Sequence, residues 1–170
     1  GAQVIAALSW PRAAVVIKAA DLVGKSWLLW HLVARLHGSA KVAHLDLSVL
    51  PQERTATKAV FLSEVASALL SAAKPEADAG LVVGQAFTRP GGPEACLRYV
   101  LDHHALPALQ HGQGLVLVLD SLDVLIDKSY QNDVLGLLRG LLQALPGSPR
   151  DALRLLMAIS TGRALYGHNI

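Results

Sequence analysis

The sequence predicts an α/β domain of three layers, with helices packed on both faces of a mainly parallel sheet. Short β-branched runs alternate along the chain with stretches of three- and four-residue apolar spacing, the order that builds parallel sheets. Hydrophobic residues make up 52% of the chain and charged residues only 16%, and mean hydropathy is +0.40. That balance suits strands buried on both faces. The 170 residues fit one domain spanning 1–170, long enough to bury a sizeable core.

The elements follow in order. Ala13 to Lys18, after Pro11, is a first strand. Gly24 opens a helix with Trp27, Leu28, Leu32 and Leu36 at helical spacing, and Gly38 stops it. The apolar run Trp27 to Val33 within it reads as a buried helix segment. Lys41 to Leu47 is a second strand, and Phe61 to Leu70 a second helix with Phe61, Val65 and Leu69 on one face. Lys74 to Pro93, with its Pro, Gly and Asp, reads as a loop or insertion. Glu94 to Leu109 returns to helical spacing. Leu115 to Asp120 is the clearest strand, Asn132 to Leu145 a helix closed by Pro146-Gly147, and Leu153 to Ile159 the last strand.

Composition narrows the function classes. No apolar run reaches the roughly 18 residues that span a bilayer. The single cysteine, Cys96, excludes an internal disulfide and a cysteine-based metal cage, and agrees with a cytoplasmic setting. Net charge is +2 with no Lys/Arg cluster, so nucleic-acid binding is not indicated. Seven histidines are scattered and none forms a HExxH pair. The alternation stops straight after a strand, so the expectation is a piece of a longer protein. The high apolar content also fits a surface covered by a fused or partner domain.

The chemistry concentrates at Ala19 to Ser26. Ala19-Ala20-Asp21-Leu22-Val23-Gly24-Lys25-Ser26 matches [AG]xxxxGK[ST], a pattern that arises by chance in about one chain in a hundred of this length. It follows a β run and opens an amphipathic helix, the context this motif requires. A loop that wraps phosphate must turn several backbone N–H groups inward, and Gly24 permits the backbone this needs. Lys25 places a point charge on the β- and γ-phosphates, Ser26 offers its hydroxyl to Mg²⁺, and the helix aims its positive end at the anion. Ala19, Asp21, Val23, Gly24, Lys25, Ser26 and Trp27 are the candidate cofactor-binding residues. Asp21 adds a negative charge inside the loop and lowers affinity unless it points away. The bland alternative is a helix entry with no ligand.

Leu115 to Asp120 runs five apolar residues into an acid. A carboxylate at the C-terminal end of a strand beside such a loop holds Mg²⁺ directly or through water, so Asp120 and Ser26 are the candidate metal ligands. Ser121 occupies the position where a hydrolytic enzyme of this kind carries a Glu, and a serine is no base at neutral pH. Asp123 either supplies that base or caps a turn. Ser160 and Thr161 either face the γ-phosphate or only end a strand. Asp123 and Ser160 are the candidate catalytic residues, and Arg163 is either an anion contact or a surface residue.

With these motifs placed, the chain resembles the AAA-like domain family of bacterial P-loop ATPases, close to the signal-transduction NTPases. Val15-Val16-Ile17-Lys18 with Gly24-Lys25-Ser26-Trp27-Leu28-Leu29 is similar to that family's first strand and loop. Leu117 to Leu125 is similar to its Walker B stretch, His44 to Leu47 to its second strand, Val134 to Arg139 to the helix after Walker B, and Leu153 to Thr161 to its sensor strand. The resemblance implies a P-loop NTPase core of strand order 5-1-4-3-2, lacking here the fifth strand and lid. It also implies ATP with Mg²⁺ as cofactors and a regulatory switch in a multidomain protein, with homo-oligomerisation left open. Ala19 stands where the family has Gly, and Ser121 where it has Glu. The expected function is therefore a nucleotide-dependent switch with slow or absent hydrolysis. The alternatives are an active ATPase, and an NTPase-fold scaffold for protein contacts that binds no nucleotide.

Overall fold

The computed structural model describes residues 2–20, 24–143 and 145–160. Four strands, β1 (Ala14–Ala19), β2 (Ala40–Asp46), β3 (Gly114–Asp120) and β4 (Leu153–Ser160), form one sheet in the order β1-β4-β3-β2. Every pairing is parallel. This is the 1-4-3-2 part of the expected order, and among the described residues there is no fifth strand. Parallel strands put all their C-terminal ends on one edge of the sheet, so Ala19, Asp46, Asp120 and Ser160 end together.

Helices cover both faces. α1 (Ala2–Leu8) and α2 (Lys25–Leu36) lie on one side. There Leu8, Leu29, Leu32 and Leu36 pack on Val116, Val118, Leu156 and Ala158. On the other side, α3 (Lys58–Ala73), α4 (Ala79–Ala86), α5 (Gly92–Val100) and α6 (Gln131–Leu142) enclose the larger core. Phe61, Leu62, Val65, Leu97 and Leu138 meet Leu115, Leu117 and Leu119 there. β3 alternates its side chains between these two cores and is buried along its whole length. Each such leucine contributes about 1.5–3 kcal/mol, so the central strand is the anchor of the sheet.

Several expectations change. The stretch read as a loop over 74–93 contains α4, because Asp78 Oδ1 accepts the N–H of Leu81 at 2.9 Å and caps a helix that buries Val83 and Ala86. Gly80 and Gly84 hid that helix from a propensity reading. α1 has no counterpart in the sequence reading. The helical stretch after Glu94 ends as an α-helix at Val100 and continues as a π-turn over Leu101–Ala105 and a 3-10 turn over Leu106–Ala108, where Pro107 removes an N–H donor.

Trp27 and Trp30 are not in the core. The buried side of α2 is Leu29, Leu32 and Leu36, and the two tryptophans stand 67% and 71% exposed on the opposite side. β1 is likewise not buried on both faces. It is an edge strand whose exposure alternates, leaving Val16 47% exposed while Val15 and Ile17 pack inward. Among the described residues no helix is long and apolar enough to cross a membrane.

This division of labour is measurable. Phe61→Ala removes a fully buried ring from the larger core and is expected to lower stability by about 3–5 kcal/mol. Trp30→Ala should stay within about 0.5 kcal/mol of the unsubstituted protein. Urea unfolding of the two variants checks both numbers.

Candidate functional site

β1 delivers the chain to the sheet edge at Ala19, which lies opposite Ser160 in the parallel register. The loop returns at Gly24, whose φ of 80° and ψ of 26° place it in the left-handed region. An added Cβ there would meet nothing within 4 Å, so the glycine serves the backbone turn and not a tight contact. Gly24 is the N-cap of α2, with no side chain capping it and no acidic residue in the first turn. The first-turn N–H groups of a helix have no partner within the helix, and they carry its positive dipole end. α2 therefore begins as an anion-attracting terminus.

Lys25 is the first residue of that helix. Its ammonium donates to Ser160 Oγ at 2.9 Å and to the Ala20 carbonyl at 3.4 Å. One side chain thus ties the end of β1 to the end of β4. Ser160 is only 3% exposed, and its own N–H donates to Asp123 Oδ1 at 3.3 Å. Asp123 sits in a 3-10 turn over Leu122–Leu125, directly after β3. Lys25, Ser160 and Asp123 therefore form one polar chain across three elements, with Ser160 in the middle.

Asp120 ends β3 at 1% exposure. Its Oδ1 accepts the N–H of Ser121 at 2.7 Å, and its carbonyl accepts the N–H of Leu47 at 3.1 Å. A buried carboxylate is costly without hydrogen bonds or a cation, and the Ser121 N–H supplies one such bond. Ser121 follows with φ 58° and ψ 42°. That left-handed backbone turns the chain sharply out of the strand. Asp46 lies opposite Asp120 in the register, a neighbour the sequence reading did not assign. Its Oδ1 accepts from both the backbone N–H and the hydroxyl of Ser48, so it caps the turn after β2. The signal was present, since β2 too is a short strand running into Asp.

Of the predicted residues, Ala19, Gly24, Lys25, Ser26, Asp120, Asp123 and Ser160 gather at this edge. Trp27 lies in the first turn of α2 with its ring against His31, centroids 4.0 Å apart. Asp21 and Val23 lie outside the described residues, as do Thr161 and Arg163. Among the described residues no group of three or more His, Cys, Asp or Glu side chains clusters to hold a metal. The Ser26 hydroxyl and the Asp120 carboxylate are oxygen donors of the kind Mg²⁺ takes, one or two at a time beside waters and a phosphate.

A parallel sheet between two helical layers, with a glycine-opened helix and a lysine at its C-terminal edge, defines an α/β domain of the P-loop type. The chain belongs to the AAA-like domain family, whose profile matches residues 2–167. No curated protein matches it.

The left-handed backbone at Ser121 carries its own test. A non-glycine residue there costs about 1–2 kcal/mol, offset in part by the chain entropy a glycine would lose. Ser121→Gly is therefore expected to leave stability unchanged or raise it by up to about 1 kcal/mol in urea unfolding.

Proposed function

We propose that this domain binds ATP with Mg²⁺ at the C-terminal edge of the sheet and acts as a nucleotide-dependent regulatory switch, with hydrolysis slow or absent. The observation that carries the reading is the ammonium of Lys25 held 2.9 Å from the buried Ser160 hydroxyl. It sits beside an uncapped helix terminus and on the same edge as Asp120. An ammonium, a helix N-terminus and a glycine suit a polyphosphate. The loop over Ala19, Asp21, Val23 and Gly24 would wrap it, with Trp27 at the helix entry. Ser26 and Asp120 would hold the Mg²⁺, which neutralises phosphate charge when bound.

The Lys25 ammonium carries three N–H donors and serves both Ser160 Oγ and the Ala20 carbonyl. A phosphate oxygen would draw it by the stronger charge-assisted bond and shift its hold on Ser160, the residue whose N–H Asp123 accepts. The end of β4 and the turn after β3 then sense the ligand together. A ligand shifts such an element only by its differential affinity for the two states. Slow chemistry is supported by Ser121, which offers no base, and by Asp123, whose carboxylate is engaged by a backbone N–H. A multidomain cytoplasmic protein is the setting this implies. Exposed Trp10, Trp27 and Trp30 support a covering domain or second copy.

One observation favours the scaffold reading without nucleotide: Lys25 already has hydrogen-bond acceptors within the protein. Thermal unfolding separates the two, because a ligand selective for the folded state stabilises it by about 2.7 kcal/mol at a hundred times its dissociation constant. Titration with a fluorescent ATP analogue should give Mg²⁺-dependent binding that Lys25→Ala weakens at least about tenfold, the loss of one charge-assisted contact. Absence of binding, or a Lys25→Ala variant indistinguishable from the unsubstituted protein, would overturn the proposal. Phosphate release is expected at the level of the Lys25→Ala control. Turnover above it that Asp123→Asn removes would make Asp123 the base and the domain an ATPase.

A further inference from the structure

The opposite end of the sheet holds a cavity of about 520 Å³, walled by the segments that lead into β3 and β4. Gln110, His111, Gln113, Ser148, Asp151 and Arg154 supply its polar lining. The volume falls within the range of small-molecule sites. Arg154 stands one residue inside β4, paired across the sheet with Val116. Its guanidinium lies over Gly114, where an added Cβ would stand 2.3 Å from Nη1. The missing side chain at Gly114 is what gives the group its place.

This guanidinium is short of partners. Nη1 donates to the Ala152 carbonyl at 2.7 Å, and among the described residues no carboxylate lies within ion-pair reach of it. Burial holds its pKa below the usual arginine range. The acid in the same wall is already engaged. Asp151 Oδ2 accepts the Gly147 N–H at 2.5 Å. Its Oδ1 lies 3.1 Å from Arg12 Nε, near enough to offset the charge though turned away from the hydrogen-bond line. Among the described residues that line the cavity, Arg154 is a cation with no carboxylate partner, and Asp151 has Arg12 beside it. In the same lining Ser148 Oγ is buried without a hydrogen-bond partner, a state that costs free energy unless an acceptor or donor arrives.

We propose that this cavity is a second ligand site, which takes the oxyanion of a small molecule, a carboxylate or phosphate group, on the Arg154 guanidinium and the Ser148 hydroxyl. A planar fork of N–H donors beside one hydroxyl matches the geometry of such a group. The neighbouring Gln110 and Gln113 supply amide contacts for the rest of the molecule. The site is separate from the nucleotide edge and uses none of its residues.

The test runs in the Lys25→Ala variant, so that phosphate held at the other end of the sheet does not contribute. Inorganic phosphate and acetate are each compared with chloride at equal ionic strength, by thermal unfolding. Expected is a concentration-dependent rise of about 2–4 °C over chloride with at least one of the two oxyanions. The stronger of them tells phosphate from carboxylate as the group recognised. Arg154→Gln and Ser148→Ala should each abolish the rise, and Arg154→Lys, which keeps the charge but loses the fork, should reduce it. Equal curves in phosphate, acetate and chloride would overturn the proposal. So would a rise that survives Ser148→Ala, a substitution small enough to leave folding intact should Arg154→Gln disturb it. ATP–Mg²⁺ binding by the otherwise unchanged Arg154→Gln protein reports on the nucleotide edge alone, so the two readings fail separately.

Discussion

The hydrogen bond from the Lys25 ammonium to Ser160 Oγ is the constraint on which the C-terminal edge depends. It exists because β4, and not β3, lies beside β1, so that the residue opposite Ala19 is a serine. Were β3 the neighbour, the same ammonium would face the carboxylate of Asp120. Breaking a buried ion pair by taking one partner away costs about 3–5 kcal/mol, and an incoming anion would have to overcome that. A bond to a neutral hydroxyl is given up at a smaller cost. The strand order therefore sets Ser160, and not Asp120, opposite Ala19 while ending both strands on one edge.

The two helical layers do different jobs. Four helices and the 3-10 turn after β3 enclose the larger core, whose leucines and Phe61 are excluded from water. The layer formed by α1 and α2 is thinner and buries one narrow stripe of α2, with Trp27 and Trp30 left outside. Tryptophan offers a large apolar area with a single N–H, and it is enriched where proteins meet other surfaces. The exposed flank of α2 thus starts at the glycine-opened terminus and carries its aromatic rings outward from it.

The turn after β3 joins the end of that strand to the end of β4. Ser121 takes a left-handed backbone that few side chains adopt, and its N–H closes onto Asp120 Oδ1 in the same step. Two residues on, Asp123 reaches across to the last amide of β4. The sharp exit from the strand is what brings Asp123 back over the sheet edge. A chain leaving β3 in extended geometry would carry that carboxylate away. Strain at one residue is here exchanged for a polar tie between adjacent strands.

Much of this was legible in the residues. The β-branched runs of β1 and β3, the Gly24-Lys25-Ser26 helix entry and the acid at Asp120 follow from spacing and backbone chemistry, which are local properties. The order of strong apolar segments was enough to predict a parallel sheet between helices. What was not legible depended on neighbours distant in sequence. α4 went unseen because two glycines lower its propensity, and only burial of Val83 and Ala86 against the core makes it form. The side of α2 that faces inward could not be read, since Trp27 and Leu29 are equally apolar and the sheet alone chooses between them. The partnership of Lys25 with Ser160, 135 residues apart, and the cavity beneath Arg154 arise where separate strands converge. Sequence determined which groups could do chemistry; tertiary packing decided which of them meet, because proximity in a folded sheet is set by strand order and not by distance along the chain.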